Sequence, residues 1–118
     1  MQALALGASL AALLIGAAGA QTVGGDYTVA GTNPNGTTYA GTAEITPSGS
    51  TCRIVWHTGS TTSQGVCMVS SKAVAAFYKL GGDFGLVVYE LQPDGRLTGY
   101  WTIVDKDGVG GEILTPKR

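Results

Sequence analysis

Histidine occurs once in this chain and cysteine twice, charged residues make up only 13%, and the formal net charge is −1. Each scarcity removes a class of function. Two thiols make a poor metal site. The sparse, balanced charge leaves no basic stripe and no interleaving of basic with aromatic residues, so nucleic acid and anionic surfaces are poor partners. No G-x-S-x-G nucleophile elbow accompanies His57. Ser60 and Ser63 stand in a Ser/Thr-rich turn that needs hydroxyls only for chain reversal. Glu44 and Glu90 occupy strand-like runs at positions able to face inward, but nothing brings them together as the carboxylate pair of a glycosidase. Ion pairs with Arg53, Lys79 or Arg96 are their ordinary role.

Asp105-Lys106-Asp107-Gly108 lacks the further oxygen ligands and closing Glu of a calcium loop. No helix N-terminus follows Gly81-Gly82-Asp83 to hold a phosphate. Asn35-Gly36-Thr37 fits a glycosylation sequon and equally a hairpin turn. With no catalytic, cofactor-binding or metal-ligating constellation, the expectation is a protein that is not an enzyme and carries no cofactor.

What is present starts with MQALALGASLAALLIGAAGA, whose Leu4–Ala18 run is apolar apart from Gly and Ser. Ala18-Gly19-Ala20 matches the small-x-small pattern of a signal peptidase site, which predicts a leader over 1–20 and a mature chain of Gln21–Arg118. The run is barely long enough to span a bilayer and has no basic flank to stop transfer. An exported protein, periplasmic or secreted to the cell surface, is expected, with no membrane span in the mature part. Its length suits one domain.

Clusters of glycine punctuate short β-branched and aromatic runs along the mature chain, the pattern of an all-β meander. Eight strands are predicted: 26–30, 38–46, 52–57, 64–70, 72–80, 84–91, 96–104 and 111–115. The fifth, with its Ala-Val-Ala-Ala-Phe-Tyr core, also suits a short helix, but its length and its neighbours favour a strand. Hairpin-short connections favour next-neighbour antiparallel order. Closure would remove both exposed edges, so an up-and-down barrel is expected, with a flattened sandwich or open sheet as the alternative. Gly41, Gly65 and Gly99 fall inside strands, where glycine marks a bulge or bend. Pro34-Asn35-Gly36 and Pro93-Asp94-Gly95 repeat one turn chemistry.

The hairpin of Gly85–Trp101 is the clearest element. Taking Asp94-Gly95 as its turn puts Leu86, Val88, Leu97, Gly99, Trp101 and Ile103 on the core face. Tyr89 and Tyr100 then form an exposed aromatic pair on the other face, a candidate binding surface. Trp56, Trp101, Phe77 and Phe84 are expected in the core. A turn near Gly59-Ser60 sets Cys52 opposite Cys67, which predicts a disulfide in an oxidising compartment.

The segments GDYTVAGTNPNGTTYAGTAEI (25–45), CRIVW (52–56) and GLVVYELQPDGRLTGYW (85–101) resemble a family of small exported alphaproteobacterial proteins, of rhizobial type, commonly labelled fibronectin-binding. The resemblance implies adhesion to fibronectin or another host matrix protein. Avidin- and lipocalin-like barrels offer a second, purely architectural resemblance, and with it a second function class, a carrier of a small apolar ligand. One observation separates the two. An open cavity lined by Trp56 and Trp101 favours the carrier; a filled barrel with an outward tyrosine patch favours the binding module.

Overall fold

Each run in which apolar and polar residues alternate becomes a strand. In the computed structural model, which describes residues 22–117, the strands are β1 (Gly25–Thr32), β2 (Thr38–Ser48), β3 (Thr51–Thr58), β4 (Thr61–Val69), β5 (Ala73–Leu80), β6 (Asp83–Leu91), β7 (Leu97–Ile103) and β8 (Gly110–Pro116). The expected leader, 1–20, and its cleavage site lie outside the described residues. Each strand pairs antiparallel with the next, and β8 closes on β1 from Tyr27↔Pro116 to Thr32↔Gly111. The fold is therefore the closed eight-strand meander expected from the sequence. Closure leaves no strand edge free.

The alternation sets the phase of every strand. In β5, Val74, Ala76 and Tyr78 are buried while Ala75, Phe77 and Lys79 are exposed, a period of two that no helix would show. In β3, Cys52, Ile54 and Trp56 face inward. The β3–β4 turn holds only Gly59 and Ser60 between the paired Thr58 and Thr61, with Gly59 at φ 62°. That register sets Cys52 opposite Cys67 with Cα atoms 4.9 Å apart, and the two are disulfide-bonded.

The β6–β7 hairpin corrects the sequence reading. Leu91 pairs with Leu97, and the Gln92 N–H donates to the Arg96 carbonyl at 2.8 Å, so the loop proper is Pro93-Asp94-Gly95. A three-residue loop replaces the expected two-residue turn, and one extra residue flips the facing of one strand relative to the other. Leu97, Gly99 and Trp101 keep the expected inward side. Opposite them, however, stand Leu91, Tyr89 and Val87. Leu86 and Val88 point outward, 51% and 53% exposed, while Tyr89 is fully buried. The β1–β2 loop is built the same way: the Asn33 N–H donates to the Thr37 carbonyl across Pro34-Asn35-Gly36. Gly36 and Gly95 have φ of 91° and 90°, a conformation that favours glycine.

The outer surface is two-sided. On β4–β7, Val66, Met68, Phe77, Phe84, Leu86, Val88 and Tyr100 are exposed. Phe77 and Phe84, expected in the core, instead stack outside it with ring centroids 5.4 Å apart. On β1–β3 threonine is the commonest outward residue, with Glu44, Arg53 and His57 also on that face. Glu44 and Glu90 both face outward on strands that are not neighbours, and Arg96 pairs with Asp94 at 2.8 Å.

Candidate functional site

The two ends of the barrel are filled differently. Strands β1, β3, β5 and β7 begin at the end that carries the β2–β3, β4–β5 and β6–β7 turns. There Tyr27, Ile45, Ile54, Val74, Leu97, Leu114 and the disulfide are packed and buried. Val23 joins them, and the Gly24 N–H donates to the Tyr27 hydroxyl at 2.9 Å. The other half encloses a cavity of about 280 Å³. Its mouth lies among Asn33, Thr58, Thr61 and Leu80, and Ser63 and Val87 line its wall. Trp56 and Trp101 both line it too, with Tyr39, Tyr78, Tyr89 and Glu112. This is the open, tryptophan-lined cavity that separates a carrier from a filled barrel.

Glycines seat the aromatic walls. Gly31 pairs with Tyr39, Gly85 with Tyr78 and Gly110 with Trp101. In each pair a Cβ on the glycine would fall inside the partner's ring. The missing side chain lets the ring lie flat across the neighbouring strand, into the barrel. Gly41, Gly65 and Gly99 act differently: a Cβ there would strike the carbonyls of His57, Phe77 and Val88 on a neighbouring strand. These are close backbone approaches, another use of glycine in a strand, and the ladders run through them without the expected bulge. The rings meet edge to face, Tyr39 against Trp101 at 6.3 Å and Trp56 against Tyr78 at 5.3 Å.

Glu112, on β8, is the one polar or charged residue buried among the described residues, at 8% exposure. Three donors converge on its carboxylate. The Tyr39 hydroxyl donates to Oε1 at 2.7 Å, Trp56 Nε1 donates to Oε2 at 3.0 Å, and the Tyr89 hydroxyl donates to the same Oε2. Trp56 Nε1 also lies 3.1 Å from the Tyr89 oxygen. A carboxylate that only accepts satisfies such a set; a protonated one would bring a fourth donor. Burial raises the Tyr89 phenol well above its ordinary range, and the Glu112 charge and hydrogen bond raise it further. Tyr39 is raised for the same reasons in the same order. Tyr78 is pushed up to about 12 by burial and then by the Glu112 charge. All three phenols are thus protonated donors at neutral pH.

The tyrosine pair expected from the sequence is split by the structure. Tyr89 points into the cavity and Tyr100 outward at 69% exposure, so the two do not share a face. His57 is exposed, its Nδ1 3.2 Å from Thr62 Oγ1, while Ser63 faces inward on the adjacent strand. No three His, Cys, Asp or Glu side chains cluster among the described residues. Glu112 was not singled out. Its signal was its phase: it stands two residues before Leu114 on one strand, so an inward Leu114 carries it inward.

No family model matches the chain, and no curated protein does. Solved structures do. The chain is similar to a redesigned β-barrel, b11L5F_LGL, with a TM-score of 0.70 and 17% identity over 80% of this chain and 91% of that one. A redesigned β-barrel, mFAP1, bound to DFHBI gives a TM-score of 0.69 and 23% identity over 79% and 94%. A protein described as the REP1-NXSQ fatty acid transporter gives 0.55 and 15% identity over 80% and 96%. At these identities the likeness is one of fold: a small closed antiparallel barrel.

Proposed function

We propose that this protein is an exported binding protein that holds a small organic molecule inside its barrel. The observation that carries the reading is the one-ended cavity walled by Trp56, Tyr39, Tyr78 and Trp101 over the Glu112 carboxylate. A concave, mainly apolar site with a few convergent polar groups is the usual form of a small-molecule site. At about 280 Å³ it stands near the lower end of the common range, about 300–1,000 Å³. Two of the fold's neighbours are described as bound to DFHBI and as a fatty acid transporter, so the fold accommodates such ligands. The apolar run at the start of the sequence and the disulfide support export.

Native mass spectrometry against a small-molecule library tests the reading. Adducts are expected on the unmodified protein and are lost in Ser63→Trp, whose indole would fill the cavity. A library that yields neither adducts nor any change in tryptophan fluorescence would refute it.

A second reading keeps adhesion, supported by the outward apolar residues of β4–β7 rather than by a tyrosine pair. Large exposed apolar patches mark interaction surfaces. Retention of the disulfide-intact protein on immobilised fibronectin at physiological salt would support it, with the Tyr100→Ser variant retained less. Failure to bind removes it.

A further inference from the structure

The polar hydrogens of the cavity's aromatic walls are committed to the protein, and the hydroxyls of Thr58, Thr61 and Ser63 lie toward the mouth and on one wall. Tyr39, Tyr89 and Trp56 donate to Glu112. The Tyr78 hydroxyl donates to the Thr102 carbonyl at 3.1 Å, and Trp101 Nε1 donates to the Gly111 carbonyl at 3.3 Å. What the aromatic box presents inward is therefore ring faces and acceptor oxygens. Into that box is set one carboxylate, and none of the residues lining it is Lys, Arg or His. A buried charge without a partner of opposite sign is costly. Here the three hydrogen bonds solvate it but leave its sign uncompensated. Ring faces carry the same sign as the carboxylate and attract cations.

We infer that the ligand is a small organic cation, an alkyl- or aryl-substituted ammonium. Its charged head lies against Tyr39, Trp56 and Trp101 near Glu112, and its apolar substituents point toward the mouth at Leu80. The inference rests on the small-molecule reading above and narrows it. It sets this barrel apart from a fatty acid carrier. A carboxylate ligand would meet the Glu112 charge with no free N–H donor from the aromatic walls.

The test compares ligands of one shape and different charge on the purified protein expressed from the full chain. Phenyltrimethylammonium and tert-butylbenzene are isosteres, a cation and a neutral molecule, and benzenesulfonate supplies an anion. The chain's two tryptophans both line the cavity, so their fluorescence reports occupancy directly. The cation is expected to bind roughly tenfold or more tightly than its neutral isostere, with the anion weakest. In Glu112→Gln that preference should collapse toward unity. The amide oxygen still accepts from Trp56 and Tyr89, and the amide nitrogen donates to a turned Tyr39 hydroxyl.

Equal or tighter binding of tert-butylbenzene, or tightest binding of benzenesulfonate, would overturn the cation assignment while leaving a ligand-binding barrel. An undiminished preference in a folded Glu112→Gln variant would overturn the role of Glu112. Binding of none of the three, with no response from either tryptophan, overturns the cation assignment; if the library above also yields nothing, the small-molecule reading falls with it.

Discussion

Raising the pH should unfold this barrel through its tyrosines. In an unfolded chain a phenol ionises near pH 10. In the fold Tyr89 is held well above that by burial and by Glu112, and Tyr78 is held at about 12. A folded pKa above the unfolded value contributes stability that is complete below about pH 10 and is lost as the pH climbs toward the folded value. Each phenol that stays protonated in the fold but ionises in the unfolded chain removes about 1.4 kcal/mol per pH unit. Tyr89, fully buried, carries most of that slope, and Tyr78, whose ring faces the open cavity, carries less because solvent screens it. Tyr39 is half-buried and adds less, since solvent screens it. Such a loss weighs heavily against the stability of a marginal domain, about 5–15 kcal/mol.

Urea unfolding followed by far-ultraviolet circular dichroism, repeated from about pH 8 to about pH 12, measures it. Stability should hold to the ordinary phenol range and then fall, with tyrosinate absorbance appearing together with unfolding. Tyr78→Phe should make that fall less steep. Stability that stays level to pH 12, or full ionisation of the tyrosines while the dichroism is intact, would refute the reasoning.

Further substitutions probe the same framework. Tyr89→Phe removes one donor from the Glu112 carboxylate but leaves Trp56 Nε1 its bond to Oε2, so denaturant midpoints should report a loss of about 1.5–3 kcal/mol, the worth of a hydrogen bond to a charge. Cys52→Ala with Cys67→Ala opens a loop of separation 15 and should cost about 3 kcal/mol by loop entropy; reductant should have the same effect on the unmodified protein and none on the variant. The β6 register is checked by neighbours of identical chemistry. Val87→Ala should cost about 1.5–3 kcal/mol as a buried truncation, whereas Val88→Thr, on the outer face, should stay within about 0.5 kcal/mol. A reversed order in thermal melts would restore the expected inward Leu86 and Val88.

Fold legibility followed turn chemistry. Glycine marks six of the seven turns and Ser70-Ser71-Lys72 the seventh, so the number and order of the strands were readable, as was the Cys52–Cys67 pairing, because Gly59-Ser60 forms a two-residue turn that fixes the register. The phase of β6 was misread at a turn of another length. In Gln92-Pro93-Asp94-Gly95-Arg96 the proline opens the turn and Gly95 takes the positive φ, an arrangement that spends three residues between strands rather than two. Asn33-Pro34-Asn35-Gly36-Thr37 repeats it, down to a side-chain oxygen of Asn35 or Asp94 accepting from the backbone N–H two residues on. The two loops had been matched to each other by sequence. The extra residue they share was the missing step, and it moved Tyr89 from an outer patch to the wall of the cavity. Phe77 was misplaced for a different reason: size suggested the core, but Ala76 and Tyr78 had already claimed the inward phase.

Glu112 was hidden by a conflict between local and distant information. In Gly110-Gly111-Glu112-Ile113-Leu114 two apolar residues are adjacent, so either phase buries one of them, and local hydrophobicity favours the phase that leaves the glutamate in water. The fold takes the other. It does so because closure of β8 onto β1 and β7 brings the carboxylate to donors on β2, β3 and β6, up to 73 residues away in the chain. Without Tyr39, Trp56 and Tyr89 the inward phase would bury an unsolvated charge; with them it costs little and puts Leu114 in the core. The same three hydrogen bonds that make the burial tolerable also use up the donors of Tyr39, Trp56 and Tyr89. The polar character of the site is therefore set by the requirement that the barrel close around a carboxylate, and a ligand entering it meets the charge that closure left unmatched.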